Sequence, residues 1–155
     1  AWYPRGVSTA AARLRYYAER FDVVEVDSPF YALPDPDVTR RWAERTPDHF
    51  TFHVKAGAAM TWHEGEPTDA AFAAFRVSVE PLELSGKLRG VLLQYHPRFV
   101  KSQEAKEELA RARGRLEPRV PLIEFRHRPW MEPDERSDTG SSRSMVSPTC
   151  LSTRR

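Results

Sequence analysis

The segment Phe50-Thr51-Phe52-His53-Val54-Lys55 (50–55) alternates apolar and polar side chains. In an extended strand, residues two apart share a face. Phe50, Phe52 and Val54 therefore lie on one side, with Thr51, His53 and Lys55 on the other. Three further segments read the same way. In 23–27, Glu25 and Asp27 oppose Val24 and Val26. In 91–96, Gln94 and His96 oppose Leu93 and Tyr95. In 122–126, Glu124 and Arg126 oppose Ile123 and Phe125. Strands of an open sheet covered by helices on both faces would be apolar on both parities. Here one face suits packing under helices, while the other gains polar groups toward the strand ends. A barrel interior opening onto a polar mouth produces that pattern, so a (β/α) barrel is favoured over an open doubly wound sheet.

The segments between these strands carry helical signals. Ser8 or Thr9 can cap a helix through Arg20, with Leu14, Tyr17 and Phe21 as its apolar stripe. Pro34 and Pro36 lead into a short helix containing Val38 and Trp42, stopped before Pro47. Thr68 opens a helix expected to run to about Val79, and Ser102 one expected to run to about Arg113, ended by Gly114. Gly90 is read as preceding the third strand. The result is a helix, then four strands separated by three helical segments, which argues for right-handed βαβ units and a parallel sheet. No strand is followed by a Gly-rich phosphate loop, which weakens a nucleotide-binding version.

The 155 residues are 40% apolar and 30% charged, the balance of a globular chain, and no apolar run is long enough to span a membrane. One cysteine, Cys150, excludes an intrachain disulfide framework, and the want of a signal-peptide apolar stretch at the N-terminus leads to the expectation of a cytoplasmic location. The net charge of +2 invites a nucleic-acid partner. Arg143, Arg154 and Arg155 against Asp138 supply all of it, however, and residues 1–136 are neutral. No nucleic-acid partner is expected. Composition also changes near 137, where the chain becomes Ser/Thr-rich. Residues 1–136 are therefore read as the folded domain and 137–155 as a disordered tail. A reading-frame shift is one origin for that tail, because bases encoding Met145 to Thr153 can encode an apolar strand in another frame.

The segments V-V-E-V-D-S-P-F-Y-A-L-P (23–34), W-A-E-R-T-P (42–47), F-H-V-K-A (52–56), G-V-L-L-Q-Y-H-P-R-F (90–99) and I-E-F-R-H-R-P-W (123–130) resemble the DUF72 (YecE-like) family, in the family's order. Y-Y-A-E-R-F (16–21) and Trp2-Tyr3-Pro4 also fit. Pro29 departs from the common Thr, and His96 from the common Pro. The resemblance implies a TIM-barrel-like fold of which this chain holds about strands two to five of eight, an N-terminal and central fragment of a partial barrel. It implies no known reaction. Open sheet edges in such a fragment predict poor solubility or a swapped oligomer, and the oligomeric state stays open.

Candidate chemistry follows from the polar parity. Glu25, Lys55 and Glu124 sit at or near the ends of three strands, which converge on one pocket in a barrel. Glu25 and Glu124 are candidate acid/base groups, and Lys55 a catalytic electrostatic partner. Asp27, Tyr31, Gln94 and Arg126 are candidate substrate-binding residues, Arg126 for an anion. The competing reading of the same residues is an interior ion-pair network, Glu25–Lys55 and Glu124–Arg126. His53, His96 and His127 lack metal-site spacing, so no metal is assigned and no cofactor follows. Tyr31, Trp62 and Trp130 follow strands and could line the mouth. The charged helix after Ser102 reads as a solvated outer helix. The expected function is a barrel enzyme acting on a small polar or anionic molecule. The alternatives are a non-catalytic ligand-binding barrel and an inactive truncated fragment.

Overall fold

A computed structural model describes residues 2–132; the expected tail at 137–155 lies outside them. The chain forms α1 (Ala10–Ala18), β1 (Val23–Val26), α2 (Pro36–Glu44), β2 (Thr51–Lys55), α3 (Asp69–Leu84), β3 (Leu88–Gln94), α4 (Gln103–Leu116) and β4 (Pro121–Glu124). The strands make one parallel sheet in the order β1-β2-β3-β4, with Val24 opposite Phe52, Val54 opposite Val91 and Gln94 opposite Glu124. Single 3-10 turns follow three of the strands, at Ser28–Phe30, Ala58–Met60 and Arg128–Met131.

Each helix starts on a side chain that satisfies an otherwise free amide. The backbone N–H groups of Ala12, Asp37, Ala71 and Ala105 donate to Thr9, Asp35, Thr68 and Ser102, at 3.1, 2.8, 3.2 and 3.1 Å. Such caps are typically worth about 1 kcal/mol each. The helices then cover the apolar parity of the sheet. Phe52, Val54, Val91, Leu93 and Tyr95 are buried beneath Phe72, Phe75, Val79 and Leu82 of α3 and Ala105, Ala112 and Leu116 of α4. The opposite parity is open: Glu25 is exposed and Thr51, His53, Lys55 and Leu92 are half-buried. This one-sided burial is the geometry of a partial barrel.

Three boundaries differ from the sequence reading. Helix α3 continues past Val79 to Leu84 with Pro81 inside it. Pro81 cannot donate to the carbonyl of Val77 four residues earlier. Val77 is 58% exposed, so the missing hydrogen bond falls on the solvent-facing side of the helix. Helix α4 passes through Gly114 and stops at Leu116, where Glu117 turns extended ahead of Pro118. Strand β3 starts at Leu88 and includes Gly90. A Cβ at Gly90 would lie 2.8 Å from Leu122 Cδ1, so a larger residue there would push the β4 leucine aside.

Helix α4 is also less solvated than its composition suggests. Glu108 is buried, and its carboxylate accepts from Arg111 Nε at 2.9 Å and Arg115 Nη1 at 3.2 Å. Among the described residues, no helix is long and apolar enough to cross a membrane.

Candidate functional site

Parallel pairing brings the C-terminal ends of all four strands to one rim. Lys55, the last residue of β2, stands with Nζ 3.4 Å from Asp27 Oδ1 and 4.9 Å from the centre of the Phe30 ring. Its side chain is 14% exposed, and it makes no hydrogen bond among the described residues. Gln94, at the end of β3, donates from Nε2 to Glu124 Oε1 at 2.7 Å, and Arg126 Nε lies 3.4 Å from the same oxygen. The Gln94 hydrogen bond holds the Glu124 carboxyl below its usual range, assisted by Arg126 and Lys55 and opposed by burial. Glu124 is therefore an ionised acceptor or base at neutral pH and is poorly suited to act as an acid.

The structure brings Asp27, Lys55, Gln94, Glu124 and Arg126 to the rim. It separates Glu25 from them. Glu25 lies within β1, paired with His53 across the sheet, and makes no ion pair among the described residues. The partner of Lys55 is Asp27, which sits just past the end of β1 and enters the first 3-10 turn. Two residues along the strand carry a side chain of the same parity one step closer to the rim. Glu124–Arg126 forms as the ion-pair reading had it. Tyr31 is 84% exposed, with its ring edge-on to Phe30 at 5.1 Å. Trp130 does not line the mouth. It stacks on Phe125 at 4.3 Å and donates from Nε1 to the Phe99 carbonyl at 2.8 Å, closing the core instead.

One residue of the rim escaped the sequence reading. His63 follows the Ala58–Met60 turn, with its ring 5.0 Å from Phe30 and 5.1 Å from His96. The signal present in the sequence was a polar Thr61-Trp62-His63 between two glycines just after a strand, a loop composition apt for function. His63 Nδ1 lies 2.9 Å from Thr61 Oγ1. The Thr61 hydroxyl faces the Gly57 carbonyl at 3.5 Å. The hydrogen between Thr61 Oγ1 and His63 Nδ1 belongs to either atom according to the His63 tautomer, and Nε2 takes the complementary role. In His96, Nδ1 accepts from the Arg98 amide at 3.0 Å, which leaves Nε2 protonated. His96 thus presents a donor, while the role of His63 Nε2 follows its tautomer.

Burial lowers the pKa of His63, reinforced by His96, Arg126 and Lys55 and opposed by a hydrogen bond to the Thr61 backbone. The folded chain then takes up its proton at lower pH than the unfolded chain. The associated stability is complete above 6.5 and is lost as pH falls through the folded value. A proton NMR titration of the His63 ring should show a midpoint below 6.5; a midpoint above it contradicts this arrangement.

Among the described residues, no group of three or more His, Cys, Asp or Glu side chains could hold a metal ion. His53 is half-buried on the inner face. His127 starts the last 3-10 turn with Nδ1 buried and without a hydrogen-bond partner.

Four parallel strands, outer helices and a polar rim at the strand ends define part of a TIM-barrel-like (β/α) fold. A family model described as "Protein of unknown function DUF72" matches residues 1–142, and the chain belongs to that family. It is 36% identical over 126 residues to the UPF0759 protein YunF of Bacillus subtilis (strain 168), covering 78% of this chain and 45% of YunF. It is 39% identical over 59 residues to the UPF0759 protein YecE of Escherichia coli (strain K12), covering 38% of this chain and 22% of YecE. Among solved structures it resembles a DUF72 family protein from Enterococcus faecalis V583, with TM-score 0.72 and 25% identity, over 81% of this chain and 52% of that one. A DUF72 family protein from Thermotoga maritima MSB8 gives TM-score 0.70 and 28% identity, over 84% and 52%. The chain spans about half the length of these relatives or less.

Proposed function

We propose that the rim binds a small anionic molecule, and that the intact barrel acts on it as a cytoplasmic enzyme, with no nucleic-acid partner. The Lys55 ammonium carries this reading. It is half-buried, it faces Asp27 at 3.4 Å, and none of its three N–H donors is used in a hydrogen bond among the described residues. An ammonium at the rim that is paired with one carboxylate and still open to solvent has donors to offer an anionic ligand. Arg126, half-exposed beside Glu124, offers a second, planar set of donors. Glu124 has Oε1 occupied by Gln94 and Arg126, so Oε2 is left to accept a ligand proton.

Calorimetric titration with inorganic phosphate tests the anion site. Saturable binding that weakens at least tenfold in Lys55→Met, with the fold retained by circular dichroism, supports it. Absent binding, or binding indifferent to Lys55→Met, refutes it. Glu124→Gln separates enzyme from binding module in an intact relative's turnover assay. Lost turnover with ligand still bound indicates a base, and unchanged turnover removes Glu124 from the chemistry.

A further inference from the structure

Beside the rim lies a cleft of about 530 Å³, a volume within the range of small-molecule sites. Trp62, His63 and Glu66 from the β2–α3 connection line one part of it, and His96, Arg98 and Phe99 from the β3–α4 connection another. Trp62 has φ +62°, in the left-handed region where a bulky side chain is uncommon. Residues held there cluster at ligand-binding positions, because the surrounding structure must over-determine them. The indole is 40% exposed and leans on Phe99 at 6.2 Å, a supported aromatic face open to the cleft.

The polar part of the lining is mixed rather than of one charge. His96 Nε2 donates, and the His63 imidazole, its ring 5.1 Å away, can accept; Glu66 accepts and Arg98 donates. A flat hydrocarbon ligand would leave these groups unsatisfied, and a bare anion would make no use of the indole. A sugar ring answers both demands. Its C–H face stacks on an aromatic surface, and its neighbouring hydroxyls each donate and accept. The Phe30 ring lies 4.9 Å from Lys55 Nζ and 5.0 Å from the His63 ring, so the anion-binding rim and the cleft are contiguous.

We propose that the cleft formed by Trp62, His63, His96, Arg98 and Phe99 binds the ring of a monosaccharide whose phosphate or carboxylate is held by Lys55 and Arg126. This rests on the anion-binding reading of the rim and specifies its ligand class. His63 Nε2 takes a hydrogen bond from one ring hydroxyl, and His96 Nε2–H gives one to the next. Trp62 supplies the stacking face.

The full chain is titrated with inorganic phosphate, glucose 6-phosphate, ribose 5-phosphate and glucuronate, followed by tryptophan fluorescence and calorimetry. At least one sugar anion should bind at least tenfold tighter than phosphate and perturb the indole emission. Trp62→Ala should erase that gain while leaving phosphate affinity unchanged. The sugar proposal is overturned if phosphate binds but no sugar anion binds tighter, or if the gain survives Trp62→Ala. Failure of every ligand, phosphate included, overturns the anion reading together with it. Should Trp62→Ala not fold, His63→Gln replaces it with the same expected loss. Nitrogen-15 shifts of the free wild-type chain must also show His63 protonated at Nδ1 and His96 at Nε2; the reverse tautomers overturn the donor–acceptor arrangement.

Discussion

Replacing Phe52 by alanine should lower the stability of the folded chain by about 4 kcal/mol, the range for a fully buried aromatic truncated in a core that cannot collapse around it. Phe52 is 0% exposed, lies in β2 between β1 and β3, and has neighbours on every side. Its ring meets Phe50 edge-on at 5.2 Å and stacks under Trp42 of α2 at 6.4 Å. Those neighbours sit on a strand and a helix, so neither moves freely into the space left. Chemical denaturation should show a lower midpoint at unchanged slope; a loss below about 1 kcal/mol would mean the site relaxes or is loosely packed. Thr51→Ala, one residue away on the open face, should cost far less. That contrast tests the one-sided burial that makes this sheet part of a barrel.

The second large effect concerns a residue that no sequence pattern marked. Lys87, just before β3, is buried, and its ammonium donates to the Ala43 carbonyl at 2.6 Å, the Thr46 carbonyl at 2.7 Å and Thr46 Oγ1 at 3.2 Å. It thereby caps the C-terminal end of α2, where unpaired carbonyls and the helix dipole favour a cation. Lys87→Met keeps most of the side-chain volume but leaves two buried carbonyls short of their charged donor. The expected loss is about 3 kcal/mol, from charge-assisted hydrogen bonds worth roughly 1.5–3 kcal/mol each. Thermal melts should fall accordingly, and Lys87→Arg should not restore them, because a planar guanidinium does not fit a site shaped around one ammonium. A Lys87→Met chain as stable as the parent would show that water takes over the carbonyls.

Much of the arrangement was legible in residue order. Alternation in 50–55 assigns Phe52 and Val54 inward beneath the helices because strand geometry has a period of two, whatever the neighbours are. The four capping residues Thr9, Asp35, Thr68 and Ser102 act through amides two or three positions away. The candidate rim was legible for the same reason, since Lys55, Gln94, Glu124 and Arg126 share the open parity. Boundaries were less legible where the chemistry is not local. Pro81 looks like a stop but is tolerated because Val77 faces solvent. Gly90 looks like a break but makes room for Leu122 on the next strand.

Pairing between rim residues could not be read along the chain. Glu25 and Asp27 have the same parity, and their sequence does not say which reaches Lys55; the position of β1 against β2 selects Asp27. The His63–His96 pair joins two loops separated by a helix and a strand, and its tautomers depend on Thr61 and on the Arg98 amide. Lys87 meets carbonyls more than forty residues earlier. Local periodicity and capping thus set the elements, their faces and the family's partial barrel, because those forces act within a few residues. Which polar groups meet is left to the packing of one element against another, because a hydrogen bond between distant residues exists only once the sheet has brought them within 3 Å.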